Sequence, residues 1–152
     1  VAPFTHINPE GSRFSDGSFG VLYFADTLET AIAEVKHHQQ TYWRRVPGLR
    51  YERFVFRGLR GVFKEVSIGD ALTLPSDHLV YAPDHYTASQ PFGTDVRRTL
   101  NGLRYRSVRR PGAHCWALMT PRHVTDIIQT THLEMIWSGA ITQVNHLRVT
   151  QP

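Results

Sequence analysis

The sequence predicts an α+β fold in a single domain spanning residues 1–152. Three observations lead there. Short apolar, aromatic and β-branched runs, bounded by turn residues, recur along most of the chain. Only two or three stretches carry helical character. There is no regular strand–helix–strand alternation, which disfavours a doubly wound parallel sheet.

Residues 1–18 read as loop, punctuated by Pro3, Pro9, Gly11, Asp16 and Gly17. Residues 19–25 are apolar, aromatic and β-branched, and predict a strand. Asp26 is placed to cap the next helix, with Glu29 as its capping-box partner. Leu28, Ala31, Ile32 and Val35 fall at i, i+3, i+4 and i+7, so that helix should run to about residue 40. Residues 51–57 predict a strand, and residues 62–68 a second one between Gly61 and Gly69. Residues 70–74 read as a helical turn or short strand, and 78–81 as a brief apolar segment before Pro83. Residues 86–100 predict a helix interrupted at Pro91 and Gly93. Strands are expected at 103–107 and 115–119, helix or strand at 124–130, and β-structure at 132–137 and 140–149.

Composition narrows the function class. A chain that is 41% hydrophobic and 20% charged is not wholly disordered. It contains no run of 18 apolar residues, so no membrane span is expected. Its first residues lack the basic and apolar regions of a secretory signal. The lone Cys115 excludes an intrachain disulfide and a Cys-rich zinc site, and predicts a reducing, cytoplasmic location. Cys115 itself reads as a small buried hydrophobe. The balance of 17 basic to 13 acidic residues gives +4, and every basic residue except Lys36 and Lys64 is arginine. Most arginines fall in two stretches, 44–60 and 97–110. They make either a solvated basic face or a site for an anionic partner: phosphorylated ligand, nucleic acid or acidic protein.

Several chemistries lack their motifs. There is no GxGxxG, no P-loop, no GxSxG elbow and no HExxH. His37 and His38 are neighbours on a helix, about 100° apart, and do not form an i, i+4 metal pair. No metal is expected, and no zinc-finger or RNP-type signature supports direct nucleic-acid binding.

Polar residues in unexpected places remain. Arg13 sits in a turn-rich loop, Tyr23 inside the first strand, and Glu34 about 100° from the centre of the apolar helix stripe. Taken one at a time, they read as a loop arginine, a core aromatic and a surface carboxylate. A later group comprises Tyr86, Gln90, Arg104, Ser107 and Arg109. Ser107 has no histidine beside it and does not read as a covalent nucleophile; its hydroxyl suits a phosphate or ribose oxygen. Its plain reading is a strand-end serine before Pro111-Gly112.

Together these residues resemble the RES domain, named for its Arg, Glu and Ser. The stretch GSRFSDGSFGVLYFADTLETAIAEVKHH carries an arginine with an aromatic, a glycine turn, Leu-Tyr and Ala-x-x-Glu. NGLRYRSVRRPGAHCWAL carries Gly-x-x-Tyr-x-Ser, and Leu133-Glu134-x-x-Trp137 resembles the family's end. The resemblance covers nearly the whole chain. It implies a fold similar to the diphtheria-toxin-related ADP-ribosyltransferases, with short mixed or antiparallel sheets and flanking helices. It also implies the toxin of a toxin–antitoxin pair of the RES–Xre or ParS–ParT type, inhibited by an Xre-like or ParS-like antitoxin. Such toxins consume NAD at the nicotinamide–ribose bond. Some pass ADP-ribose to a protein such as phosphoribosyl pyrophosphate synthetase; others pass it to inorganic phosphate, as NAD phosphorylases. The family usually has a further arginine upstream of the position of Arg13, which this chain begins too late to contain. Either residues are missing at the front, or one ligand anchor is.

The resemblance assigns roles. Glu34 would stabilise the positive charge that grows on the ribose as neutral nicotinamide leaves. Arg13 would clamp phosphate oxygens. Tyr23 would wall the nicotinamide, and Ser107 would fix a ligand oxygen. Tyr86, Gln90, Arg104 and Arg109 are further binding candidates. The non-enzymatic alternative is a nucleic-acid or protein-binding module using the arginine stretches, which would show steep salt dependence on duplex nucleic acid.

Overall fold

A computed structural model describes residues 8–147. The expected loop at 1–7 and the end of the last strand at 148–149 lie outside the described residues. The elements run β1 (Leu22–Ala25), α1 (Leu28–Arg44), β2 (Glu52–Phe63), β3 (Ile68–Asp70), α2 (Ser89–Thr99), β4 (Gly102–Arg106), β5 (His114–Leu118), β6 (Val124–Trp137) and β7 (Ile141–Leu147). They form two sheets. One is mixed, in the order β1-β5-β4-β3 with β3 and β4 parallel; the other is antiparallel, in the order β2-β6-β7. The fold is α+β, as the sequence predicts.

Several elements differ from the sequence expectation, each for a physical reason. The helix cap is Thr27, whose hydroxyl accepts the Thr30 N–H at 3.2 Å. Asp26 instead accepts the His114 N–H at 3.0 Å and ties the end of β1 to β5. The first strand is confined to Leu22–Ala25, because only these residues pair with β5. Helix α1 continues past residue 40 to Arg44, because Trp43, 2% exposed, packs into a second core with Met135, Trp137 and Ile141. β2 runs unbroken through Gly58 and Gly61, the latter expected to be a strand boundary. Gly61 marks a close approach, since a Cβ there would collide with the Phe24 ring. Likewise β6 is one strand across 124–137, held along its length by β2.

Helix α2 is not interrupted. Pro91 is its third residue, in the first turn, where the missing N–H costs no helical bond. Gly93 lies against the Phe14 carbonyl, where a side chain would collide. The glycine that reads as a helix breaker thus lets α2 pack directly on the loop carrying Arg13.

Two cores result. One gathers Phe14, Phe19, Val80, Val96, Leu103, Tyr105 and Cys115 on the first sheet. The other gathers Trp43, Met135, Trp137 and Ile141, with Ile32 and Val35 packed against it. Helix α1 therefore shows Ile32 to the second sheet while Ala31, Glu34 and His38 turn toward the first.

Candidate functional site

The pleat of the first sheet builds one wall of a cavity of about 190 Å³. Ala25, Cys115 and Tyr105 stand directly opposite one another across three strands, and Tyr23 is two residues from Ala25. All four therefore share a face, and all four line the cavity. The second wall is α1, through Ala31, Glu34 and His38, and the rim is Ser12 and Arg13. A larger depression of about 520 Å³ adjoins it, sharing Ser12, Tyr23 and His38 and extending to Tyr86, Arg45 and Tyr42.

Tyr23 anchors the loop that presents Arg13. Its phenol lies 2.6 Å from the Ser12 hydroxyl and accepts the Phe14 N–H at 3.1 Å, gripping both neighbours of Arg13. Burial pushes this phenol up to about 12, so it stays a neutral hydrogen-bonding group at physiological pH. Gln90 adds a third tie, donating from Nε2 to the Ser12 carbonyl at 3.0 Å. Its place is beneath the loop rather than in the cavity.

Arg13 is 9% exposed. Its Nη1 donates to the Val80 and Ala82 carbonyls at 3.1 and 3.0 Å, and its guanidinium lies 5.0 Å from the centre of the Tyr86 ring. Arg109 donates to the Pro83 carbonyl, and Arg110 to the hydroxyls of Thr27 and Thr30. Among the described residues none of these three is ion-paired, unlike Arg53, Arg98 and Arg104. Burial, then the positive charge of Arg13, holds Arg109 below the usual arginine range. Guanidiniums satisfied by neutral oxygens and repelling one another leave net positive charge for an anion.

Glu34 is the carboxylate of this cavity, with its side chain 23% exposed. Ser107, from the end of β4, donates its hydroxyl to Glu34 Oε1 at 2.7 Å and accepts the Arg110 N–H at 3.1 Å. The expected ligand-fixing serine is thus spent on the carboxylate, and it lines a separate recess rather than this cavity. The structure therefore brings Arg13, Tyr23 and Glu34 to one cavity, with Ser107 steadying Glu34 and Tyr86 stacked on Arg13.

Arg104 does not join them. It projects from the opposite face of β4 to Tyr105 and pairs with Asp70 at 2.9 Å. The strict alternation of a strand is the signal that excludes it.

Sequence reasoning missed His38, Tyr105 and Ser12, while Cys115 is the small buried side chain it expected. His38 Nε2 lies 4.0 Å from Glu34 Oε2, one helical turn on, and burial lowers its proton affinity. The i, i+4 spacing from Glu34 was the available signal. Cys115 lines the cavity, but burial and then Glu34 push its thiol up to about 12, so it is no ready nucleophile. Among the described residues no cluster of three or more His, Cys, Asp or Glu side chains is arranged to hold a metal ion.

Comparison with known proteins agrees with these observations. The chain is 31% identical over 141 residues to an uncharacterized protein, y4oC, of Sinorhizobium fredii; the match covers 91% of this chain and 57% of that protein. This chain thus spans little more than half of that relative's length. The model of the RES domain matches residues 1–138. With residues 1–138 of its 152 matched, the chain belongs to the RES domain family.

Proposed function

We propose that this protein cleaves the nicotinamide–ribose bond of NAD and transfers the ADP-ribosyl group to an acceptor. RES domain proteins are known generally as NAD-utilising toxin enzymes. The observation that carries the reading here is the charge arrangement. One carboxylate, Glu34, is held by Ser107 in a cavity whose neighbouring arginines have no carboxylate partner among the described residues.

The residues divide the work. Arg13 uses Nη1 to tie its loop to the Val80 and Ala82 carbonyls, and its remaining N–H groups would take pyrophosphate oxygens. Tyr23 and Tyr105 give the cavity an aromatic wall. Glu34, oriented by Ser107, stabilises positive charge developing on the ribose, an interaction stronger in the transition state than in the ground state. Nicotinamide leaves as a neutral ring, so the cleavage needs no protonation of the leaving group.

The acceptor is a protein, with phosphoribosyl pyrophosphate synthetase as the family-derived candidate; inorganic phosphate and water are the alternatives. The partner is an Xre-like antitoxin that closes the cavity. Incubation with NAD, with and without phosphate or cell extract, tests the activity. Nicotinamide release is expected, and mass analysis of ADP-ribose, its phosphate product and modified protein identifies the acceptor. Absence of nicotinamide release under all of these conditions would remove the enzymatic reading. Salt-dependent binding to duplex nucleic acid would then favour the basic-module alternative.

Arg13→Lys separates anchor from ornament. An ammonium cannot serve two carbonyls and a phosphate with a planar fork. NAD affinity should fall about tenfold or more, and loss of the loop contacts should lower stability by about 1–2 kcal/mol. Calorimetric titration beside a thermal melt measures both; unchanged NAD affinity would remove Arg13 as the anchor.

A further inference from the structure

A second recess, of about 250 Å³, opens at the end of β4 and is lined by Ser76, Tyr81, Arg106, Ser107 and the Pro111-Gly112 turn. It is separate from the cavity of Arg13 and Glu34. Arg106 and Tyr105 are successive residues of β4 and face opposite ways, and only Tyr105 lines that cavity. Ser107 stands between the two, lining the recess while its hydroxyl reaches Glu34.

Arg106 is half-buried, and its charge has no counterpart. Its Nη2 donates to the Leu72 carbonyl at 2.9 Å, and its Nε is buried with no hydrogen-bond partner. Among the described residues no carboxylate lies within ion-pair distance of it. Asp70, the acidic group of the neighbouring strand, is already held by Arg104. A cation withdrawn from water calls for a partner of opposite charge. Ser76 and the turn at Gly112, whose φ is +84°, also line the recess. One guanidinium beside hydroxyl-bearing side chains suits a single phosphate group.

We propose that this recess is a phosphate-binding site, with Arg106 as the cationic donor and Ser76 as a hydroxyl donor. It is distinct from the binding of NAD and does not depend on the cavity of Arg13 and Glu34 acting on NAD.

Calorimetric titration of the full chain, with orthophosphate in one arm and glycerol phosphate in the other, tests it. Binding of either ligand is expected, and the arm that binds identifies the source of the phosphate group. Arg106→Gln and Ser76→Asp should each weaken that binding about tenfold or more, the first by removing the charge, the second by adding a repelling one. Ser76 is exposed, so Ser76→Asp keeps the test valid should Arg106→Gln fail to fold. Absence of binding in both arms would overturn the proposal. So would binding that survives Ser76→Asp with unchanged affinity. Neither result would bear on nicotinamide release, which is measured separately.

Discussion

Glu34→Gln is expected to reduce nicotinamide release by about 10²–10³-fold, the scale of losing one aimed electrostatic group. The substitution keeps the side-chain volume and an oxygen that can accept the Ser107 hydroxyl, now 2.7 Å from Oε1. What it removes is the negative charge that the proposed mechanism sets against the ribose. The melting temperature should therefore change little, since the residue lies beside the apolar stripe of α1 rather than within it. Nicotinamide release measured beside a thermal melt checks both halves. Equal activity of mutant and parent would take Glu34 out of the mechanism and leave the cavity as a binding site only.

Trp43→Ala is expected to destabilise the fold by about 3–5 kcal/mol, the range for emptying a large buried aromatic site. Trp43 is 2% exposed, stacks on Phe54 at 4.2 Å and meets Trp137 edge-on at 5.7 Å. It clamps the last turns of α1 to the second sheet, and the same helix presents Glu34 to the first. For a domain of this size the melting point should fall by roughly 10 °C or more. Trp43→Phe should cost much less, because it preserves the stacking and removes an Nε1–H that has no partner. Denaturant unfolding of the two variants beside the parent decides the matter. A loss below about 1 kcal/mol for Trp43→Ala would mean that α1 is held from elsewhere.

Much of this was legible in local pattern. The apolar spacing of Leu28, Ala31, Ile32 and Val35 specified a helix, while the offset of Glu34 from that stripe read by itself as a surface carboxylate, near enough to the stripe to reach the helix–sheet seam. The turn residues around Arg13 specified a loop, and the absence of strand–helix alternation specified the α+β class. These are properties of residues within one or two turns of each other, and elementary stereochemistry reads them directly.

Other features depended on partners far along the chain. Asp26 was capable of capping α1, but the His114 backbone, 88 residues on, claims it and leaves Thr27 to cap. Ser107 meets Glu34 across 73 residues, so nothing local distinguished a ligand-binding hydroxyl from one that orients a carboxylate. Gly61 and Gly93 resemble interruptions because glycine lowers local propensity; they are contacts, with Phe24 and the Phe14 carbonyl filling the space a side chain would take. The arginines divide in the same way. Sequence alone determined that they are many and clustered. Only the tertiary structure decided that Arg104 is neutralised by Asp70 while Arg13, Arg106 and Arg109 hold neutral oxygens. The physical reason is that charge compensation acts through space, and sequence spacing beyond a helical turn or a strand pair does not encode that distance.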